Sequence, residues 1–314
     1  TQRWYCPQCA SSATKPRTDL SQAFTLERFV AWLMGKQSQT ELSHSNRDHT
    51  GDRAWRAQTS WCWDIVPIPE ITGEIYSVIL LDGIGIGNAV CLIARTPTAI
   101  LSWHWAGWES SNTWSKLLEQ LPAPTVVVCD GQKGILLAIT RCWPITRIQR
   151  CNFHVWQNIR VKLTLHPQTL AGQELLGLAR ELLKGIKTTE GANDWQERLK
   201  TWEQTYGDFI KQRTYRTELL AGHRSWWYTH RNLRSAYRQL DKLLKDNQLF
   251  TYLDASLTDI HIPRTTNYVE GGINSQLRTK LKLHRGMNQQ HQFKLVEWYL
   301  YGRTNDPKPP RKFL

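Results

Sequence analysis

No stretch of this sequence approaches the roughly 18 uninterrupted apolar residues that a membrane-spanning helix needs, so no transmembrane segment is expected. A disulfide framework is missing too: the cysteines number seven, an odd count, which points to a reducing cytosol. Acidic residues are in deficit. Against 40 Lys plus Arg stand 27 Asp plus Glu, leaving a net charge of +13 and a pI near 9.5. That excess favours a polyanionic partner, nucleic acid first, with a basic solvated surface as the plain alternative. The chain opens at Thr1 with neither a methionine nor a signal-like apolar run, as a trimmed chain or a fragment would.

What is present begins with one Cys-x-x-Cys knuckle, Cys6 and Cys9, half of the four-ligand set of a zinc ribbon. No second pair follows, and the spacing of His44 and His49 is not diagnostic, so Zn²⁺ binding and two ordinary thiols both stay open. Residues 1–14 form this partial knuckle. Leu26, Phe29, Val30 and Leu33 recur at helical spacing within 15–66, a helical region whose second half permits a helix-turn-helix with Arg53 and Arg56 turned toward DNA. Two short solvated helices would read the same way. Pro67 and Pro69 close the region. Sixteen tryptophans are read mainly as core.

From Ile75 the pattern turns to strands. Ile75 to Leu81, Ala89 to Ala94 and Ala99 to Trp105 are three, joined by short turns; a helix follows from Ser110 to Leu121. Val126-Val127-Val128-Cys129 is a buried strand that runs into Asp130-Gly131, as the first strand runs into Asp82-Gly83. A helix from Lys133, a short strand at Arg147 and a helix from Phe153 give the order β-β-β-α-β-α-β-α. The crossover helix lets the fourth strand run parallel to the first. Asp82 and Asp130 then end neighbouring strands, where paired carboxylates make a hard-cation site. Gly83, Gly85 and Gly87 would suit a dinucleotide fingerprint, but the residues after them read as strand rather than the helix that fingerprint requires.

Residues 166–259 read as helical throughout, an all-α insertion with Arg213, Arg216 and Arg231 near its loops. A helix from Asn267 to Leu281 carries Glu270, Asn274 and Arg278 four apart on one face, beside the apolar one. Asn267 with Glu270 three residues on is also a capping-box spacing that needs no catalysis. Residues 301–314 read as a basic disordered tail.

Three motifs then carry a likeness: Leu81-Asp82-Gly83; Cys129-Asp130-Gly131 with Gly134, continuing to Gln149-Arg150-Cys151 and His154; and Asn267, Glu270, Gly271, Ile273, Asn274, Leu277 and Arg278. With them the sequence resembles the DDE transposases of bacterial insertion sequences, of the Mutator-like type. The resemblance implies an α/β, RNase H-like core, a mixed five-stranded sheet flanked by helices, over 67–165 and 260–300. It implies Asp82, Asp130 and Glu270 as ligands of Mg²⁺ or Mn²⁺, with His154 beside them, orienting a phosphate or shuttling a proton. It further implies double-stranded DNA as partner, both transposon ends and target, with Asn274 and Arg278 at the nucleic acid. A homo-oligomer in a synaptic complex and a cytoplasmic, nucleoid-associated setting complete the expectation. A nuclease of the same fold that cuts without joining, and a transposase-derived protein that only binds DNA, are the rival readings.

Overall fold

The computed structural model describes residues 3–14, 18–38, 40–41, 51–216, 225–266 and 273–314. They divide into two compact units, one of Thr1–Glu70, Ala99–Leu101 and Gly271–Leu314, the other of Ile71–Thr98 and Ser102–Glu270. The first unit opens with a small hairpin, β1 (Arg3–Tyr5) and β2 (Ser12–Thr14), then helices α1 (Thr18–Met34) and α2 (Asp52–Thr59). Leu26, Phe29 and Leu33 are fully buried, as their helical spacing requires. The edge of the Phe29 ring meets Trp63 at 4.7 Å.

The second unit is built on the sheet, all of which lies in it except Ile100 and Leu101 at the start of the strand Ile100–Ala106. Its strands are β3 (Val78–Ile86), β4 (Ala89–Arg95), β5 (Ile100–Ala106), β6 (Val126–Cys129) and β7 (Arg147–Arg150), in the order β5-β4-β3-β6-β7. β6 runs parallel to both β3 and β7, and β3 pairs antiparallel with β4. Val126, Val127 and Val128 are all buried, the unbroken apolar run of a strand covered on both faces. The connecting helices are α3 (Ser111–Leu118), α4 (Lys133–Cys142) and α5 (Asn152–Leu163). One boundary differs from expectation. The first strand does not stop before Asp82 but continues through Ile86, because its glycines keep pairing with β4 until Gly87, at φ +60°, makes the turn.

The insertion packs α6 (Leu170–Lys184), α7 (Thr189–Tyr206) and, after a hairpin, α8 (Arg231–Lys245) against α5. Trp195 and Trp202 are buried there, and their indoles donate to the carbonyls of Leu178 and Ala171, both at 2.9 Å. The segment is not wholly helical as the sequence pattern suggested. Arg213–Tyr215 (β8) and Trp226–Tyr228 (β9) form an antiparallel pair, since Thr, Tyr and Trp in short alternation favour a pleated strand over a helix.

The C-terminal helices, α9 (Ser275–Leu283) and α10 (Gln289–Tyr301), fall in the same compact unit as the amino-terminal residues. Within that unit His291 stacks on Trp63 at 3.8 Å, His284 meets Trp32 edge-on at 4.9 Å, and Lys280 Nζ donates to the Met34 carbonyl. The segment expected to be a disordered tail ends in a 3-10 turn, Pro310–Phe313. Its Phe313 ring packs edge-on against Trp298 and Tyr301 at 5.3 and 5.0 Å, and that aromatic contact holds the chain down.

Candidate active site

Register places the two aspartates. The last residues paired between β3 and β6 are Leu80 and Val128, and two residues further along the chain from each stand Asp82 and Asp130. A period of two puts Asp82 on the same face of β3 as Leu80, while Asp130 is the first residue after the end of β6. Beyond Leu80 and Val128 the strands part: β3 stays with β4, while the chain after β6 turns at Gly131, whose φ is +72°. Asp82 Oδ1 accepts from the Gly83 amide at 2.9 Å, and Asp130 Oδ1 accepts from the Gln132 amide at 3.0 Å. Both side chains are half-buried.

Arg150 fixes the second aspartate from below. Its guanidinium is buried and donates through Nε and Nη2 to the Asp130 carbonyl, at 3.1 and 2.6 Å. The same group explains Gly131, because a Cβ there would fall 1.9 Å from the guanidinium carbon. Gly134 is explained by backbone crowding: its Cβ would come within 3.2 Å of the Ser110 carbonyl carbon. Gly131 and Gly134 thus meet packing requirements set by Arg150 and by the Ser110 backbone.

A third carboxylate, Glu109, was missed by sequence reasoning. A Cβ on Gly83 would lie 2.6 Å from its Oε1, which puts the carboxylate against the backbone next to Asp82. Burial, then the neighbouring Asp130, push its pKa above the ordinary carboxylate range. The one signal available was glycine immediately after Asp82, a residue that admits close approach.

Around the start of α5 the structure gathers Cys151 and His154. Burial pushes the Cys151 thiol up, but hydrogen bonds from His154 and Thr266 outweigh it, and the net direction is down. Thr266 donates to Cys151 Sγ through both its amide (3.3 Å) and its hydroxyl (3.4 Å). The Cys151 amide donates to the Cys129 carbonyl at 2.8 Å, and that of Asn152 to Arg264 at 2.9 Å. The described chain after Pro263 therefore runs beside the end of β6. Cys129, fully buried, has its thiol pushed up to about 12 by burial.

Glu270 lies outside the described residues, as do Asn267, His44 and His49. Among the described residues no three His, Cys, Asp or Glu side chains converge on a metal position. Cys6 and Cys9 sit in the β1–β2 turn. Hydrogen bonding from Ser11, foremost, lowers the Cys9 thiol to about 7, and among the described residues no group of His, Cys, Asp or Glu completes a metal set with the pair. Arg53 and Arg56 are exposed on α2. In α9, Arg278 is exposed, but Asn274 at its N-cap is buried and does not stand on an open face. No helix among the described residues is long and apolar enough to cross a membrane.

Residues 86–216 match the family model described as transposase, Mutator family. That span contains Glu109, Asp130, Cys151 and His154, but neither Asp82 nor Glu270. Over 105 residues the chain is 31% identical to the transposase for insertion sequence element IS905 of Lactococcus lactis subsp. lactis (strain IL1403), which covers 28% of this chain and 27% of that protein. It is 29% identical over 106 residues to the transposase for insertion sequence element IS6120 of Mycolicibacterium smegmatis, with 32% and 30% covered. The chain thus spans under a third of the length of these curated relatives.

Proposed function

We infer, from a chain whose residues 86–216 belong to the Mutator family of transposases, that it cuts phosphodiester bonds at the ends of a bacterial insertion sequence and joins the freed ends to target DNA. The observation that carries this reading is the pair Asp82 and Asp130, each two residues past the last paired position of two adjacent parallel strands. The mixed five-stranded sheet with helices in its connections supports an RNase H-like core.

Carboxylate oxygens on adjacent strands suit a hard cation, and Mg²⁺ or Mn²⁺ is the group that fits. Bound there, it supplies charge stabilisation to the attacking and leaving oxygens of phosphodiester cleavage. Asp82 and Asp130 would hold it, with Arg150 keeping the Asp130 backbone in place. We assign Glu270 as the third ligand. It follows Thr266 by four residues, and four extended residues reach at most about 14 Å, so the Thr266 anchor on Cys151 is compatible with that role. His154, in the first turn of α5, would orient the scissile phosphate or carry a proton. Double-stranded DNA and a second copy of the chain, to bring two ends together, are the partners this chemistry calls for.

The test is cleavage and strand transfer on a donor carrying the element ends, with Mg²⁺. Asp82→Asn, Asp130→Asn and Glu270→Gln are each expected to abolish cleavage while leaving DNA binding largely intact. Near-normal cleavage by any one of them removes that residue from the triad. Cleavage without joined products would favour the nuclease reading, and DNA binding by the parent chain with no metal-dependent cleavage would favour the binding-only one.

A further inference from the structure

The β8–β9 hairpin puts aromatic rings in an unusual place. Trp195 and Trp202 of the same insertion are buried, yet Tyr215 is 66% exposed and Trp227 44%. Register pairs Arg213 with Tyr228, Thr214 with Trp227 and Tyr215 with Trp226, and residues directly opposite share a face. Arg213, Tyr215, Trp226 and Tyr228 therefore form one face, with Thr214 and Trp227 on the other. On the first face the Arg213 guanidinium lies 4.0 Å over the Trp226 ring, Arg234 of α8 lies 4.2 Å over Tyr228, and Trp226 meets Tyr228 edge-on at 5.0 Å. Cations and rings alternate along it and end at the open ring of Tyr215.

Core packing does not account for this arrangement. A two-stranded hairpin is marginal by itself in water, and exposed rings add nothing to a hydrophobic core. The charge around it is one-sided: over 209–238 the sequence carries seven lysines or arginines and one carboxylate, Glu218. A partner must then offer negative charge at close spacing together with flat faces that stack. Duplex DNA hides its base faces inside the helix, whereas unpaired nucleotides present both phosphate and base.

We propose that the Arg213, Tyr215, Trp226 and Tyr228 face of this hairpin binds unpaired DNA nucleotides, with Tyr215 stacking on a base and Arg213 and Arg234 drawing in the phosphates. This deepens the DNA-acting reading above and rests on it for the identity of the polyanion. It gives the insertion a role at DNA ends, where strands separate.

The experiment is fluorescence anisotropy of the full chain with a labelled single-stranded oligonucleotide and with its blunt duplex, in EDTA, so that cleavage plays no part. Tyr215→Ala and Arg213→Ala are expected to weaken single-strand binding about tenfold, the scale of one lost stacking contact. Duplex binding should change less than about twofold on the same argument, and Tyr215→Phe should retain the parent affinity. Trp227→Ala, on the opposite face, should change neither. Circular dichroism and thermal melting check that each variant is folded. Unchanged single-strand binding by folded Tyr215→Ala overturns the proposal, as does an equal loss in Trp227→Ala. Because binding is read without metal, failure of the cleavage assay leaves this result standing, and the reverse holds too.

Discussion

Glu109 has its carboxyl held above the ordinary range by burial and by Asp130. The folded chain therefore keeps that proton to higher pH than the unfolded chain does. Stability is then lost as pH rises from the unfolded value through the folded one. Glu109→Gln removes the effect. In metal-free buffer its melting temperature should exceed the parent's at neutral pH, and the two should converge as pH falls below the ordinary carboxylate range; a lower melting temperature at neutral pH would show that the carboxylate is not strained there. Gly131 is the other informative residue. Alanine would be strained at φ +72° and would displace Arg150, so this motif glycine is a packing necessity. Asp82 and Asp130 were legible in the sequence because each follows a run of buried apolar residues. Glu109 was not, because the contact that brings it to Gly83 joins residues with no shared local pattern.

At the scale of elements, α3 begins with a reciprocal cap. The Thr113 amide donates to Ser110 Oγ at 3.2 Å, and the Ser110 amide donates to Thr113 Oγ1 at 2.9 Å. The Ser110 backbone also packs on Gly134 of α4, so the cap sets the seat of both helices next to Glu109. Ser110→Ala should cost about 1 kcal/mol in denaturant unfolding, the usual loss for a removed N-cap. An unchanged midpoint would mean that the helix start is fixed by packing alone. Helix spacing marked α1, α6, α7 and α8 in the sequence, since their apolar stripes repeat every three or four residues. The β8–β9 hairpin escaped notice because three-residue strands are too short to show a period.

Across the whole molecule, a net charge of +13 makes the long-range field attractive to DNA wherever the contacts fall. Duplex affinity should therefore drop steeply with salt, on the order of a thousandfold between about 50 and 200 mM if six or more phosphates are contacted. A flat salt dependence would remove electrostatics as the main source of affinity. The same charge gives no orientation. Arg53, Arg56 and Arg278 stand exposed in the amino-terminal unit, and Arg213 stands exposed in the insertion.

By itself the sequence determined the five strands of the main sheet and their order along the chain, the Asp-Gly pairs in or just after two of them, the helical character of most of the insertion and the burial of Trp195 and Trp202. Each of these follows from hydrophobic spacing over neighbouring residues. Tertiary structure alone decided that Glu109 meets Gly83 and that Arg150 grips the Asp130 carbonyl. It also decided that Phe313 pins the C-terminal segment and that α9 and α10 group with α1 and α2. These depend on contacts between residues far apart in the chain, where side-chain shape and charge choose the partner and local periodicity carries no signal.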